Sequence, residues 1–113
     1  MPYLRLQTNV QLEDPTPILK ALSAIVAKVT GKPESYIQIT VQGGIPMLMA
    51  GNTTPTAHIE VKGIGFPTAK AQPMSAALCQ LLQDTLNIDG SRVFIVFNSH
   101  DGAMWGTDSG TFG

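Results

Sequence analysis

Tyr3 to Thr8 alternates, with Leu4 and Leu6 on one side and Tyr3, Arg5 and Gln7 on the other, which is the period of a strand with one buried face. Asp14 before Pro15 reads as an N-cap before a first helical residue. Ile18, Leu19, Leu22, Ile25, Val26 and Val29 then recur at helical spacing, and Gly31 and Pro33 end the helix. From Tyr36 to Gln42 the period returns to two, with Ile37, Ile39 and Val41 facing one way. Gly43 to Pro55 is rich in Gly, Pro and Met, with a short strand expected at Met47–Ala50 between turns.

The pattern then starts over. Ala57 to Lys62 alternates with Ile59 and Val61 inward, and Gly63 to Pro67 makes the turn out of it. A second helix carries the stripe Leu78, Leu81, Leu82 and Leu86, and Pro73 requires either a kink or a start as late as Gln72. Asn87, Asp89 and Gly90 turn the chain into a last strand at Ser91–Asn98. The order is β-α-β twice, with an offset of about 55 residues. An α+β fold follows: a two-layer sandwich of one four-stranded mixed sheet with two helices on one face. The second sheet face carries Arg5, Gln7, Gln38, Thr40, Gln42, His58, Glu60 and Lys62, polar enough for solvent. The run Val93 to Phe97 breaks this rule, because a continuous apolar strand is expected to be buried on both faces. A neighbouring subunit over that edge would satisfy it.

Composition narrows the function classes. At 113 residues the chain makes a single domain, residues 1–113. Charged residues are only 13%, about half the usual fraction of roughly 25%, which suggests surface hidden by oligomerisation. The net charge of −1 provides no field for phosphate backbones or anionic lipid, so neither nucleic acid nor membrane is an expected partner. Cys79 stands alone and His58 and His100 lack a ligand cluster, so no metal is expected. No run approaches the roughly 18 apolar residues of a span and no leader pattern opens the chain, making a cytoplasmic location the expectation.

Three local motifs carry little. Ser99, His100 and Asp101 have the residue types of a hydrolase triad, but consecutive side chains diverge and cannot form its relay. Asn52-Thr53-Thr54 matches a glycosylation triplet that has no meaning without secretion. Gly63-Ile64-Gly65 lacks the third glycine of a dinucleotide loop and reads as a tight turn whose backbone N–H groups could hold an anion. Pro2 is more informative. Removal of Met1, usual before a small residue, would leave a rigid secondary amine at the head of a core strand. The reference α-amino pKa of about 7.7–8.0 lies close to where a general base operates best.

Pro2 after Met1, Thr8-Asn9-Val10, Thr30-Gly31-Lys32-Pro33 before Tyr36-Ile37, Ile64-Gly65, Leu78-Cys79, Arg92-Val93-Phe94-Ile95, Trp105 and Thr111-Phe112 stand in an order and spacing that resemble the macrophage migration inhibitory factor family over the whole chain. The resemblance implies a cofactor-independent keto-enol tautomerase of the phenylpyruvate type, a homotrimer whose sheets surround a central channel. It implies Pro2 as catalytic base, Lys32 as the cation that meets the carboxylate of a small aromatic α-keto acid, and the Ile64 backbone as a further polar contact. Tyr36, Trp105 and Phe112 would line the aromatic pocket, Tyr3 would stand beside the base, and Phe94 and Val96 would come from the adjacent subunit. A second reading is a cytokine-like protein-binding module, its receptor unknown, with incidental tautomerase activity.

Two departures from the family pattern have chemical consequences. Phe94 and Val96 stand where vertebrate members carry a tyrosine and an asparagine, so two hydrogen-bonding groups at the far end of the substrate are lost. Thr56, Ala57, His58 and Ile59 replace a Cys-x-x-Cys motif, so thiol-disulfide exchange is not expected.

Overall fold

The alternation of apolar positions resolves into one sheet in the computed structural model, which describes residues 2–113. The elements run β1 (Tyr3–Thr8), α1 (Thr16–Thr30), β2 (Gln38–Gln42), β3 (Ala57–Ile64), α2 (Ala71–Leu86) and β4 (Val93–His100), followed by the small strands β5 (Gly106–Thr107) and β6 (Gly110–Thr111). The sheet order is β2-β1-β3-β4. β1 and β2 pair in parallel, as do β3 and β4, while β1 and β3 meet antiparallel at the centre. Each parallel pair encloses a crossover helix, so the two β-α-β halves are related by a pseudo-twofold axis between β1 and β3.

Leu4 and Leu6 of β1, and Ala57, Ile59 and Val61 of β3, meet Ile18, Leu22 and Val26 of α1 and Met74, Leu78 and Leu82 of α2 in one buried cluster. Removing these side chains from water drives the layers together, at about 25 cal/mol per Å² of apolar surface. Asp14 contributes by accepting a bond from Thr16 N–H at 3.1 Å, although the residue just before α1 is Pro15. Gly31 ends α1 in the left-handed region at φ 71°, and its N–H donates to the Ala27 carbonyl. Pro73 neither kinks nor delays α2, which begins at Ala71, so this proline lies in the first turn, where its missing N–H has no helical acceptor to lose.

Several expected boundaries move. Tyr36 leaves the second strand, because a short 3₁₀ turn over Glu34–Tyr36 follows Pro33 and the Tyr36 N–H bonds the Pro33 carbonyl. Met47–Ala50 is no strand and retains only an isolated bridge between Met49 and Asn52. The last strand starts two residues later than expected and runs on to His100, since Gly90–Arg92 form a 3₁₀ turn capped by the Asp89 carboxylate. Within the single chain β4 is an edge strand and is not covered on both faces: Phe94 is 63% and Val96 45% exposed.

The sheet face away from the helices carries polar pairs between and along its strands. Tyr3 hydroxyl bonds Thr40 Oγ1 at 3.1 Å, and Gln7 bonds Gln42 at 2.9 Å. Glu60 accepts from Lys62 at 3.0 Å and from Arg5 at 3.4 Å. The bond from Lys62, followed by its charge and that of Arg5, holds the Glu60 carboxyl below its ordinary 4.5.

The irregular stretch after β2 is held by side chains from the ends of strands. Asn9 accepts from Thr56 N–H at 2.9 Å and donates to the Thr53 carbonyl at 2.9 Å. Arg92 donates to the carbonyls of Pro55, Met49, Asn52 and Thr54 at 3.0–3.4 Å. One rigid guanidinium thus ties together four main-chain acceptors, of which those of Met49 and Asn52 also accept from each other's N–H in their isolated bridge. Arg92→Ala is expected to cost about 1–3 kcal/mol, because bonds to a charged donor are lost at a site that is only partly wet. Urea unfolding at matched protomer concentration measures this. Loss of less than about 0.5 kcal/mol, the usual effect of a surface substitution, would mean that water replaces the guanidinium without penalty.

Candidate active site

The start of β1 lies against the turn after β3 and the segment after α1. A cavity of about 170 Å³ is lined by Pro2, Thr30, Lys32, Gly63, Ile64, Gly65, Phe66 and Pro67. Pro2 is buried, and its carbonyl accepts from Gln38 N–H at 3.2 Å, which fixes the residue at the junction of β1 and β2. Lys32 follows the left-handed Gly31, which reverses the chain out of α1 and turns the lysine towards the head of β1. Its backbone N–H is held by Thr30 Oγ1 at 3.2 Å.

Ile64 is oriented by ladder alternation. Gly65 N–H donates to the His100 carbonyl on the β4 side at 3.0 Å, so the N–H of Ile64 points the other way, towards β1. Tyr3 opposite Lys62 is the last pair of that ladder among the described residues, and Ile64 lines the cavity together with Pro2. The other amides of this turn are engaged: Gly65 as above, and Phe66 N–H with Ser99 Oγ at 2.9 Å. These two amides are therefore not free for the anion expected at this turn. Gly65 has φ +58°, and a Cβ on Gly63 would lie 3.3 Å from the Phe66 ring, which stacks on Phe97 at 5.4 Å. Both glycines serve the turn's geometry.

A second cavity of about 310 Å³ adjoins on the other side of Pro2, lined by Pro2, Ser35, Tyr36, Ile37, Gln38, Trp105, Gly106, Thr107 and Phe112. The 3₁₀ turn that removes Tyr36 from β2 is also what sets its ring, 53% exposed, at this cavity. Trp105 and Phe112 are joined by the β5–β6 hairpin, whose turn residues Asp108 and Ser109 are both left-handed, at φ 48° and 66°. Phe112 N–H donates to the carbonyls of Trp105 and Gly102, each at 3.1 Å. The first cavity is smaller than the about 300–1,000 Å³ usual for a ligand pocket, and the second lies at the low end of that range.

The remaining expected site residues lie elsewhere. Tyr3 borders neither cavity, and its hydroxyl is turned along the outer sheet face to Thr40. Phe94 and Val96 border neither cavity of their own chain and stand on the outer face of edge strand β4, level with His58 and Glu60. Removal of Met1 falls outside the described residues. Sequence reading missed Thr30, Ser35, Gln38, Phe66 and Pro67, whose residue types carry no chemical signal until the turns bring them to the rim. Among the described residues no cluster of three or more His, Cys, Asp or Glu could hold a metal ion. Among the described residues no helix is long and apolar enough to cross a membrane.

The sequence profile of the Macrophage migration inhibitory factor (MIF) family matches residues 1–113. The chain belongs to the macrophage migration inhibitory factor family. It is 37% identical to a macrophage migration inhibitory factor homolog of Brugia malayi over 115 residues, covering all of both chains. It is 32% identical to the D-dopachrome decarboxylase of Mus musculus over 100 residues, 86% of this chain and 85% of that one. Its fold superposes on the crystal structure of the macrophage migration inhibitory factor homologue from Prochlorococcus marinus with a TM-score of 0.93, at 34% identity, covering 98% of this chain and 99% of the other. The four-stranded mixed sheet with two helices on one face is thus the family fold.

Proposed function

We propose that this member of the macrophage migration inhibitory factor family is a keto-enol tautomerase of the phenylpyruvate type, working as a homotrimer without a cofactor. The observation that carries the reading is the position of Pro2, which borders both the cavity containing Lys32 and Ile64 and the cavity containing Tyr36, Trp105 and Phe112. Once Met1 is removed, the proline amine takes a proton from the carbon next to the ketone, and the C–H electrons form the carbon–carbon double bond. The resulting enolate oxygen takes up a proton to give the enol, and the reverse steps regenerate the ketone. Lys32 and the Ile64 amide meet the carboxylate, and the three aromatic residues meet the ring. Similarity to a D-dopachrome decarboxylase supports small-molecule chemistry in this family. No second reading draws on a specific structural observation, although the relatives' names keep a cytokine-like role open to a binding screen.

Trimerisation completes the pocket. The 63% and 45% exposure of Phe94 and Val96 on an edge strand leaves two large apolar side chains for a neighbouring subunit to cover, where they would close the open side of its cavities. Intact mass should show loss of Met1, light scattering about three times the 12.0 kDa chain, and an absorbance assay turnover of phenylpyruvate. A retained Met1, which would convert the proline nitrogen into an amide, or a stable monomer at micromolar concentration, would end the proposal.

Selectivity supplies a further prediction. A substrate hydroxyl buried at an end formed by Phe94 and Val96 goes unpaired, at about 1–3 kcal/mol. Phenylpyruvate should therefore exceed its para-hydroxy analogue in kcat/KM by about fivefold or more, and Val96→Asn should narrow the ratio. Equal values in the wild type, or an unchanged ratio in Val96→Asn, would remove these residues from the pocket.

A further inference from the structure

At the C-terminal end of β4 a buried polar atom stands without a partner among the described residues: Nε2 of His100 is out of contact with water and makes no hydrogen bond to them. Buried polar atoms are nearly always paired, so an exception asks for a reason. The ring meets Trp105 edge to face, with centroids 5.7 Å apart and planes at 74°. The backbone of the same residue holds the opposite side of the site, since its carbonyl accepts from Gly65 N–H in the turn that carries Ile64. His100 thus connects the carboxylate end of the proline site with its aromatic wall.

We propose that His100 is a positioning residue: its neutral imidazole holds Trp105 in place against the Pro2 cavity, and protonation releases that wall. The inference rests on the tautomerase reading only for its kinetic consequence. An imidazolium must carry a donor on the buried Nε2, which is costly without an acceptor, and a cation–π contact with the indole offsets only part of that cost. Within the protomer the charged groups of the surrounding elements do not supply the acceptor. On the outer face of β3, Ile64 is level with His100, Lys62 lies one step back, and Glu60 is already bonded to Lys62 and Arg5. Lys32 and a processed Pro2 amine, which line the cavity beside Ile64, are cationic or neutral. Asp101, next along the chain, is exposed, so the buried Nε2 reaches it or water only if the ring shifts against Trp105.

Trp105 is the only tryptophan, which makes its emission a direct readout that does not depend on activity. The intact protein is followed by fluorescence and acrylamide quenching as pH falls from about 8 to 5, the interval in which histidines change charge. The wild type and His58→Gln should both show a red shift and increased quenching. In His100→Phe, which keeps an aromatic edge but cannot ionise, both changes should be absent. At pH 8, His100→Ala should raise KM for phenylpyruvate about tenfold with kcat much less affected, and His100→Phe should restore it, as expected for a lost contact with bound substrate. His100→Gln, which keeps polarity without the charge change, takes the place of His100→Ala if circular dichroism shows that variant unfolded. An acid response that persists in His100→Phe, or is missing from the wild type, overturns the proposal, as does an unchanged KM in the folded variants. If the wild type turns over no phenylpyruvate, the tautomerase reading fails and the fluorescence comparison alone decides the role of His100.

Discussion

Pro2→Ala and Pro2→Gly are expected to lose about 10²-fold or more in phenylpyruvate turnover while remaining folded, the range typical for removal of a general base. Both variants keep an α-amine and both keep the backbone carbonyl that accepts from Gln38 N–H, so the junction of β1 with β2 has no reason to open. They lose the pyrrolidine ring, which makes the nitrogen a secondary amine and prevents it from rotating about its own Cα. A base that must sit within hydrogen-bond reach of a substrate carbon is sensitive to that freedom. The measurement is kcat/KM together with intact mass, since each variant must be shown to have lost Met1. Wild-type rates in a correctly processed variant would exclude Pro2 as the base, and the cavity would then be a binding site whose chemistry lies elsewhere.

Lys32→Ala is expected to raise KM for phenylpyruvate and for its para-hydroxy analogue alike, by about ten- to a hundredfold, with kcat less affected. A hydrogen bond to a charged group contributes roughly 1.5–3 kcal/mol, and a contact made equally in ground and transition states appears in KM. Lys28 provides the comparison, because it also lies near the end of α1 but borders a groove between the two helices, away from Pro2. Lys28→Ala should leave KM unchanged. An equal rise in both variants would indicate general electrostatic attraction of an anionic substrate, which falls with added salt, and would deny Lys32 a specific contact.

The repeated β-α-β order, the inward positions of both central strands, the left-handed end of α1 at Gly31 and the membership of one family were all legible in the sequence. Each rests on signals between near neighbours: a side-chain period of two or 3.6, and a glycine where the chain must reverse. Boundaries were less legible where such signals compete. Tyr36 continues the alternation of β2, yet the 3₁₀ turn after Pro33 takes it, and only there does its ring reach the cavity. Pro73 reads as an obstacle inside a helix and is harmless in its first turn.

The chemical reach of the site was decided by tertiary structure, because it depends on residues far apart in sequence meeting at one point. Pro2 and Lys32 meet the end of β3 and the turn that follows it because β1 lies between β2 and β3, and Trp105 and Phe112 arrive on a hairpin whose turn residues, Asp108 and Ser109, carry no glycine signal. Tyr3, adjacent to Pro2 in the chain, is by contrast turned away, since successive side chains of a strand face opposite sides. His100 shows the same limit. In the sequence it belongs to an unusable Ser-His-Asp string. Its contact with Trp105 and its unpartnered nitrogen exist only because the C-terminal segment folds back across the end of the sheet, and no local pattern encodes which polar atoms that return will bury.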